Sequence, residues 1–429
     1  NNLSMQVAHA IPNTAVALTN ARVITMNDER AVLENATVLI KGNRIESIAR
    51  GTAVPEDYTE IDLAGKTIMP GIIDAHAHGP YAGDDIIPQQ NWNLLAHLAL
   101  GVTTVHNPSS SAKSAFAAAE YARTDRILGP RIFSTGEIVY GAKSTSWAPI
   151  DNLDDALAHV RRLAAQGAIS VKNYNQPRRE QRQQVIEAAR QEGLISVAEG
   201  GSLYQLDMSM IADGITGIEH NVPTLKMYDD VHQFWRQSGA GYTPTLVVTY
   251  GGLTSADYFY QNTEVWKHPI LRNFVPPSQL QARSVRRVTA PEEDYRDDDS
   301  AAAAKILMDA GIMVNIGAHG QREGLASHWE MWSFARGGFS PMEALATATI
   351  NPARHLGMDK DIGSLEAGKL ADLVIVDANP LDDIRNTDRI SHVMINGRLY
   401  RAGDLSEEVT GTATLSPFHW QTTPQGAIR

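Results

Sequence analysis

The chain has 429 residues, 49 acidic and 37 basic side chains, 14 histidines and no cysteine, giving a net charge of -12 at pH 7 and a pI near 5.6. That length suits one large α/β barrel with an accessory domain, and the negative charge argues against nucleic acid or an anionic membrane as partner. Without cysteine there is neither a disulfide framework nor a thiolate metal site, so any metal must sit on His, carboxylate or modified Lys.

The chain opens at Asn1 with no signal-peptide pattern, consistent with a leader or a preceding domain having been removed. Residues 14–62 read as short β segments at 16–18, 21–25, 36–40 and 45–48, with Lys41-Gly42-Asn43-Arg44 as a hairpin turn. The same style returns at 371–376 and 392–398. This predicts a small β-sandwich domain formed from both ends of the chain, residues 1–66 and 367–429. Between them, over 67–366, strands alternate with amphipathic helices, the pattern of parallel βα units. Eight strands are predicted, at 68–76, 102–106, 131–135, 169–174, 194–198, 214–219, 242–248 and 312–317, the number that an α/β (β/α)8 TIM barrel requires.

No apolar run approaches the roughly 20 residues of a membrane-spanning helix. The longest, around residues 94–105, is interrupted by His97 and Gly101, and a soluble chain is expected. Asp151 or Asn152 caps a stripe through Leu157, Val160 and Leu163 that stops at Gly167, and Ser340-Pro341-Met342-Glu343 is a capping box with proline in the first turn. Residues 250–299, rich in Tyr, Phe, Trp, Pro and Arg, are long for a connection between barrel strands and are predicted to form a specificity-shaping lid, with an oligomer contact or a packed surface loop as the equal alternative. The acidic residues at 292–305 are read as solvated surface leading into an Ala-rich helix.

In such barrels the active site gathers at the C-terminal ends of the strands. The first ends in Pro70-Gly71-Ile72-Ile73-Asp74-Ala75-His76-Ala77-His78-Gly79. Side chains two apart in a strand share a face, so both imidazoles aim at one point, and neutral imidazole is the commonest ligand for zinc and related ions. Other ends carry His106-Asn107-Pro108, Lys172-Asn173-Tyr174, Glu199-Gly200-Gly201, Glu219-His220-Asn221 and Ala318-His319-Gly320. Five of the 14 histidines therefore fall on strand ends, a convergence that favours a metal site. Lys172 is out of place there as an ammonium; as the neutral amine it reacts with CO2 to give an anionic carbamate.

The Pro-Gly-x-Ile-Asp-x-His-x-His opening, Lys172, His220, and the closing Asn351-Pro352-Ala353-Arg354 with Gly363-Ser364-Leu365-Glu366-Ala367-Gly368-Lys369-Leu370-Ala371-Asp372-Leu373 together resemble the metal-dependent amidohydrolase superfamily over residues 17–401. Within it the chain looks most like the imidazolonepropionase and Xaa-Pro dipeptidase group, especially the amidohydrolase domains that follow a Tol-type β-propeller in secreted bacterial proteins. The resemblance implies one or two divalent metals, Zn2+ foremost. His76 and His78 would hold one, carboxylated Lys172 would bridge to a second, and His220 would complete it. Two positions depart from the superfamily pattern. Glu199 stands where strand five usually supplies a histidine, and Ala318-His319 stands where strand eight usually supplies an aspartate. Glu199 and His319 are expected to serve as ligands, with His319 also as the proton acceptor.

The activity implied is hydrolysis of a C–N bond, with His106, Asn107, Tyr174 and Asn221 placed to hold substrate. A small peptide or cyclic amide is expected, an Xaa-Pro dipeptide first. A lactone or other ester is the alternative, as is a metal-binding module with little turnover. A homo-oligomer in the periplasm or outside the cell is expected.

Overall fold

The computed structural model describes residues 7–81, 86–200, 203–412 and 414–422. Expectations for residues 1–6, 423–429 and Gly201 lie outside these. Both ends of the chain do enter one sheet. Its eight strands run in the order Arg398–Arg401, Ile390–Ile395, Leu373–Val376, Thr67–Pro70, Ala15–Ile24, Val32–Lys41, Arg44–Arg50, with Thr59–Asp62 pairing alongside Ala15–Ile24. Seven lie on one hydrogen-bonded path, and Thr59–Asp62 branches from it. Alternate residues Val16, Leu18, Val23, Val38, Ile40, Leu373, Ile375 and Met394 bury in one cluster, the two-residue period of a strand, while Ile24, Met69, Val374 and Val376 on the other face join the main core. The last hairpin turns on Asn396 (φ 51°) and Gly397 (φ 75°), the two left-handed positions that a two-residue turn demands.

A five-stranded and a three-stranded sheet, both parallel, hold the middle of the chain. Ile72–Asp74, Val102–Asn107 and Arg131–Ser134 form the smaller; Val139–Tyr140, Ser170–Tyr174, Ile195–Glu199, Gly217–Glu219 and Gly241–Thr243 form the larger. Residues 135–138 join the two sheets on one side. On the other, Tyr242 pairs with Val314 and Ala75 N donates to Ile316 O at 3.3 Å.

Three strand expectations need correction. The run 68–76 is two strands, because Gly71 leaves the first sheet: its amide donates to Asp372 O, and a Cβ there would lie 2.1 Å from Thr103 Oγ1. The run 242–248 stops at Thr243 and becomes a 3-10 turn, Leu246–Val248, after left-handed Thr245 (φ 49°). Residues 312–317 make a single bridge rather than a ladder, since their amides are shared among Tyr242 O, Thr347 O and the Glu330 carboxylate.

The predicted caps are present at Asn152, Gly167 and Ser340. The 292–305 stretch is not all solvated surface: Asp297 is buried and bonds Arg336 at 3.2 Å. Residues 250–299 are an ordered insertion whose Phe259 stacks on Trp329 at 5.5 Å. Arg131, at the foot of its strand, grips Asp372 of the terminal sheet with two bonds, at 2.6 and 3.1 Å, locking the two layers together. Among the described residues no helix is long and apolar enough to cross a membrane.

Candidate active site

The end of Ile72–Asp74 is stitched to residues 317–319. Asp74 Oδ1 accepts from both His76 N and Ala318 N at 3.1 Å, and Oδ2 accepts from Ser327 Oγ at 3.2 Å. Burial still pushes its carboxyl above the ordinary range. His319 N donates to His76 O at 2.7 Å. Close approach here requires glycine: a Cβ on Gly317 would sit 2.7 Å from His76 Cβ.

Four imidazoles gather at this point. Ring centroids of His76, His78, His220 and His319 lie 4.6 to 5.1 Å apart in five pairings. Ligand atoms of His76, His220 and His319 fall within 4.8 Å of one another. One nitrogen of three rings is fixed by the protein: His76 Nδ1 by Glu219 Oε2 at 2.5 Å, His220 Nδ1 by Thr245 Oγ1 at 2.6 Å, His78 Nδ1 by Asn107 Oδ1 at 3.1 Å. The Nε2 atoms of His76 and His220 are buried without a hydrogen-bond partner. Metal-ligating histidines are held this way, with the second nitrogen anchored and the first left to the ion.

Burial, then Lys172 and the neighbouring imidazoles, drives His76 and His78 below the ordinary histidine value, and burial with His78 and His220 takes His319 down to about 3. These three rings are therefore neutral, the form that ligates. Imidazole nitrogen with one carboxylate and no thiolate fits a divalent cation such as zinc.

Glu199 closes the ring of donors. Its Oε1 lies 3.1 Å from His220 Nε2 without an aligned hydrogen bond, and its Oε2 lies 3.0 Å from Lys172 Nζ. Burial alone would raise this carboxyl, but His220 and Lys172 outweigh it and hold it well below the usual range. Lys172 is only 2% exposed along its side chain and sits 5.8 Å above the Tyr174 ring. Tyr250 OH donates to Glu199 Oε1 at 3.1 Å.

The predicted substrate contacts divide. Tyr174 is half-buried beside Tyr140, ring centroids 5.2 Å apart. Asn107 accepts from Ser109 N as well as meeting His78. Asn221 clasps the backbone of Tyr250, accepting from its N–H at 2.7 Å and donating to its carbonyl at 3.3 Å. Both nitrogens of His106 are engaged, by Ala75 O at 2.9 Å and Ser170 Oγ at 2.7 Å.

Comparison with known proteins agrees with this geometry. The sequence profile of the amidohydrolase family matches residues 67–400. The chain belongs to that family. A 5-methylthioadenosine/S-adenosylhomocysteine deaminase of Bacillus cereus is 22% identical over 423 residues, 88% of this amidohydrolase and 92% of that protein. An imidazolonepropionase of Arthrobacter sp. is 40% identical over 64 residues, covering 15% of this chain and 16% of its own. A crystal structure of a Xaa-Pro dipeptidase with bound methionine superposes with a TM-score of 0.69 at 21% identity, covering 90% of this chain and 100% of that one. A putative prolidase from Bifidobacterium longum gives 0.67 at 23% identity, covering 90% and 94%. Family membership makes this chain a hydrolase acting on C–N bonds.

Sequence reasoning brought His76, His78, Lys172, Glu199, His220 and His319 of this amidohydrolase to one place. It overlooked the residues that aim them: Asp74, Glu219, Thr245 and Tyr250. Strand alternation would turn Glu219 and His220 to opposite faces. They act together because His220 leaves the strand with φ 71°, a left-handed value shared by Thr245 and His319. Non-glycine residues in that region cluster where function demands them.

Proposed function

We propose that this amidohydrolase hydrolyses a C–N bond of a small peptide or cyclic amide at a divalent-cation site, Zn2+ first, formed by His76, His220 and His319 with His78, Glu199 and Lys172 around them. The frame is a (β/α)8 barrel beside a terminal sheet folded as a sandwich, supported by the parallel pairing and the bridges at Val314 and Ile316. The observation carrying the reading is the convergence of two orphaned imidazole nitrogens, on His76 and His220, with His319. A cation held there would supply Lewis-acid polarisation of a carbonyl and a lowered water pKa.

The protein's own groups do the rest. Where His76 and His220 hold the cation, the lone pair of His319, the least buried of the three clustered imidazoles, is free to accept the proton of the attacking water and return it to the leaving nitrogen. The Tyr174 phenol, beside Glu199, holds the substrate carbonyl, while the Tyr250 hydroxyl is committed to Glu199 and orients it. Lys172 decides the stoichiometry. As a carbamate it would offer oxygen ligands for a second cation; as an ammonium it would neutralise Glu199, 3.0 Å away, and favour one. The name of the B. cereus relative supports a second reading, hydrolytic deamination of a purine nucleoside, in which water again attacks a carbon bearing nitrogen.

The test is metal per chain by plasma mass spectrometry for the wild type, His220→Ala and Lys172→Ala, followed by assays with dipeptides, a cyclic amide, a lactone and adenosine. About one or two metals, lost in His220→Ala, with turnover of an amide, is the expected result. No metal after reconstitution overturns the site. Metal without turnover of any of these compounds makes the chain a metal-binding module.

A further inference from the structure

The helix Leu325–Arg336 is buried along most of its length. Two of its polar side chains, Ser327 and Glu330, stand three residues apart and so share a face; both are fully buried. Ser327 reaches Asp74, which holds the amides of His76 and Ala318. Glu330 reaches two other turns of the site at once. Its Oε1 accepts from Val247 N at 2.7 Å and its Oε2 from Gly317 N at 3.3 Å.

Those two amides matter because of their neighbours along the chain. Val247 lies in the 3-10 turn directly after Thr245, whose hydroxyl fixes His220 Nδ1 at 2.6 Å. Gly317 comes two residues before His319 and packs against His76, Thr243 and Thr245 so closely that a Cβ would fall within 3.0 Å of all three. One carboxylate therefore spans the segment orienting one ligand and the segment delivering another.

Glu330 makes no ion pair among the described residues, an expensive state for a buried carboxylate. An apolar side chain would fill the same volume more cheaply. Two acceptor oxygens on one carbon are what receive both amides together, since a glutamine amide offers one acceptor and sets an N–H2 against the other donor. We propose that Glu330 is a positioning residue of the histidine cluster, its two oxygens fixing the separation between the Thr245 turn and the Gly317–His319 turn. This rests on the reading that the cluster holds a cation.

The test is Zn2+ binding to metal-free protein, by competition with a chromophoric chelator, beside the melting temperature of the same metal-free samples. Glu330→Gln is compared with Asp297→Asn, which perturbs a buried carboxylate bonded to Arg336 on the same helix but away from the cluster. Glu330→Gln is expected to weaken Zn2+ at least tenfold, about 1.4 kcal/mol, while Asp297→Asn lowers the melting temperature with affinity unchanged. Should Glu330→Gln fail to fold, Glu330→Asp decides: it keeps both carboxyl oxygens but is one methylene too short to span both amides, and the same loss is expected. Affinity within twofold of wild type in the glutamate variant, or an equal loss in Asp297→Asn, overturns the assignment. A wild-type protein that binds no Zn2+ overturns the metal reading beneath it, a result distinguishable from either.

Discussion

Gly317→Ala probes how tightly the ligand-bearing turns are packed. The added Cβ would stand 2.7 Å from His76 Cβ, 2.7 Å from Thr243 Cγ2 and 2.9 Å from Thr245 Cγ2. Carbon atoms rest at about 3.5–4.0 Å, so each neighbour must retreat by close to ~1 Å. His76 Cβ cannot rotate aside and moves only with its backbone; the two threonines are β-branched and stiff. Overpacking of this kind costs about 1–3 kcal/mol. At roughly 2–4 °C per kcal/mol for a large domain, the metal-free protein should melt about 2–12 °C lower. Because the displaced atoms belong to His76 and to the partner of His220, Zn2+ affinity should fall about tenfold as well. Calorimetry and a zinc titration read the two effects. Gly403→Ala is the control, with no atom within 4 Å of its Cβ and an expected change within about 0.5 kcal/mol. If Gly317→Ala melts with the control and binds zinc like the wild type, the packing argument is wrong.

Two further outcomes are expected. Asp207 is buried with neither oxygen hydrogen-bonded among the described residues, and burial pushes its carboxyl up to about 8. The folded state thus keeps a proton that the unfolded chain releases near the ordinary 3.8, so this group's contribution is complete below that value and is lost as pH rises toward 8. Asp207→Asn should flatten the fall in stability between about pH 5 and pH 9 in urea melts; parallel profiles for variant and wild type would exclude a buried, proton-holding carboxyl. Arg131→Ala leaves Asp372, 2% exposed along its side chain, without its guanidinium, and should cost about 3 kcal/mol, read as a lower denaturant midpoint; a midpoint unchanged from wild type would show the pair to be dispensable.

The strand ends were legible because chemistry-bearing residues punctuate apolar runs at local, countable intervals: His76 and His78 two apart, Lys172 within its short strand, His220 directly after its own. What stayed hidden depends on partners far along the chain. Nothing near Gly71 announces that its amide will meet Asp372 O and break the 68–76 run. Thr245 sits in a stretch that reads as strand, and only its left-handed backbone brings the hydroxyl to His220. Glu330 lies on a helix buried on nearly every side, where periodicity cannot distinguish a functional carboxylate from an accident. The hydrogen bonds that Asn221 and His106 make, to Tyr250, Ala75 and Ser170, likewise join positions far apart in the chain.

In the terminal sheet, Thr67–Pro70 lies between Ala15–Ile24 on one side and Leu373–Val376 on the other. During synthesis the first of these neighbours is already made, but the second emerges roughly 300 residues later, which at about 5–20 residues per second is a wait of some tens of seconds. Throughout that interval the nascent chain carries an open strand edge, a template for pairing with other chains. His319 and Glu330 themselves emerge only roughly 40–55 residues before Leu373, so at that rate the histidine cluster and the sheet beside it are completed within about ten seconds of each other.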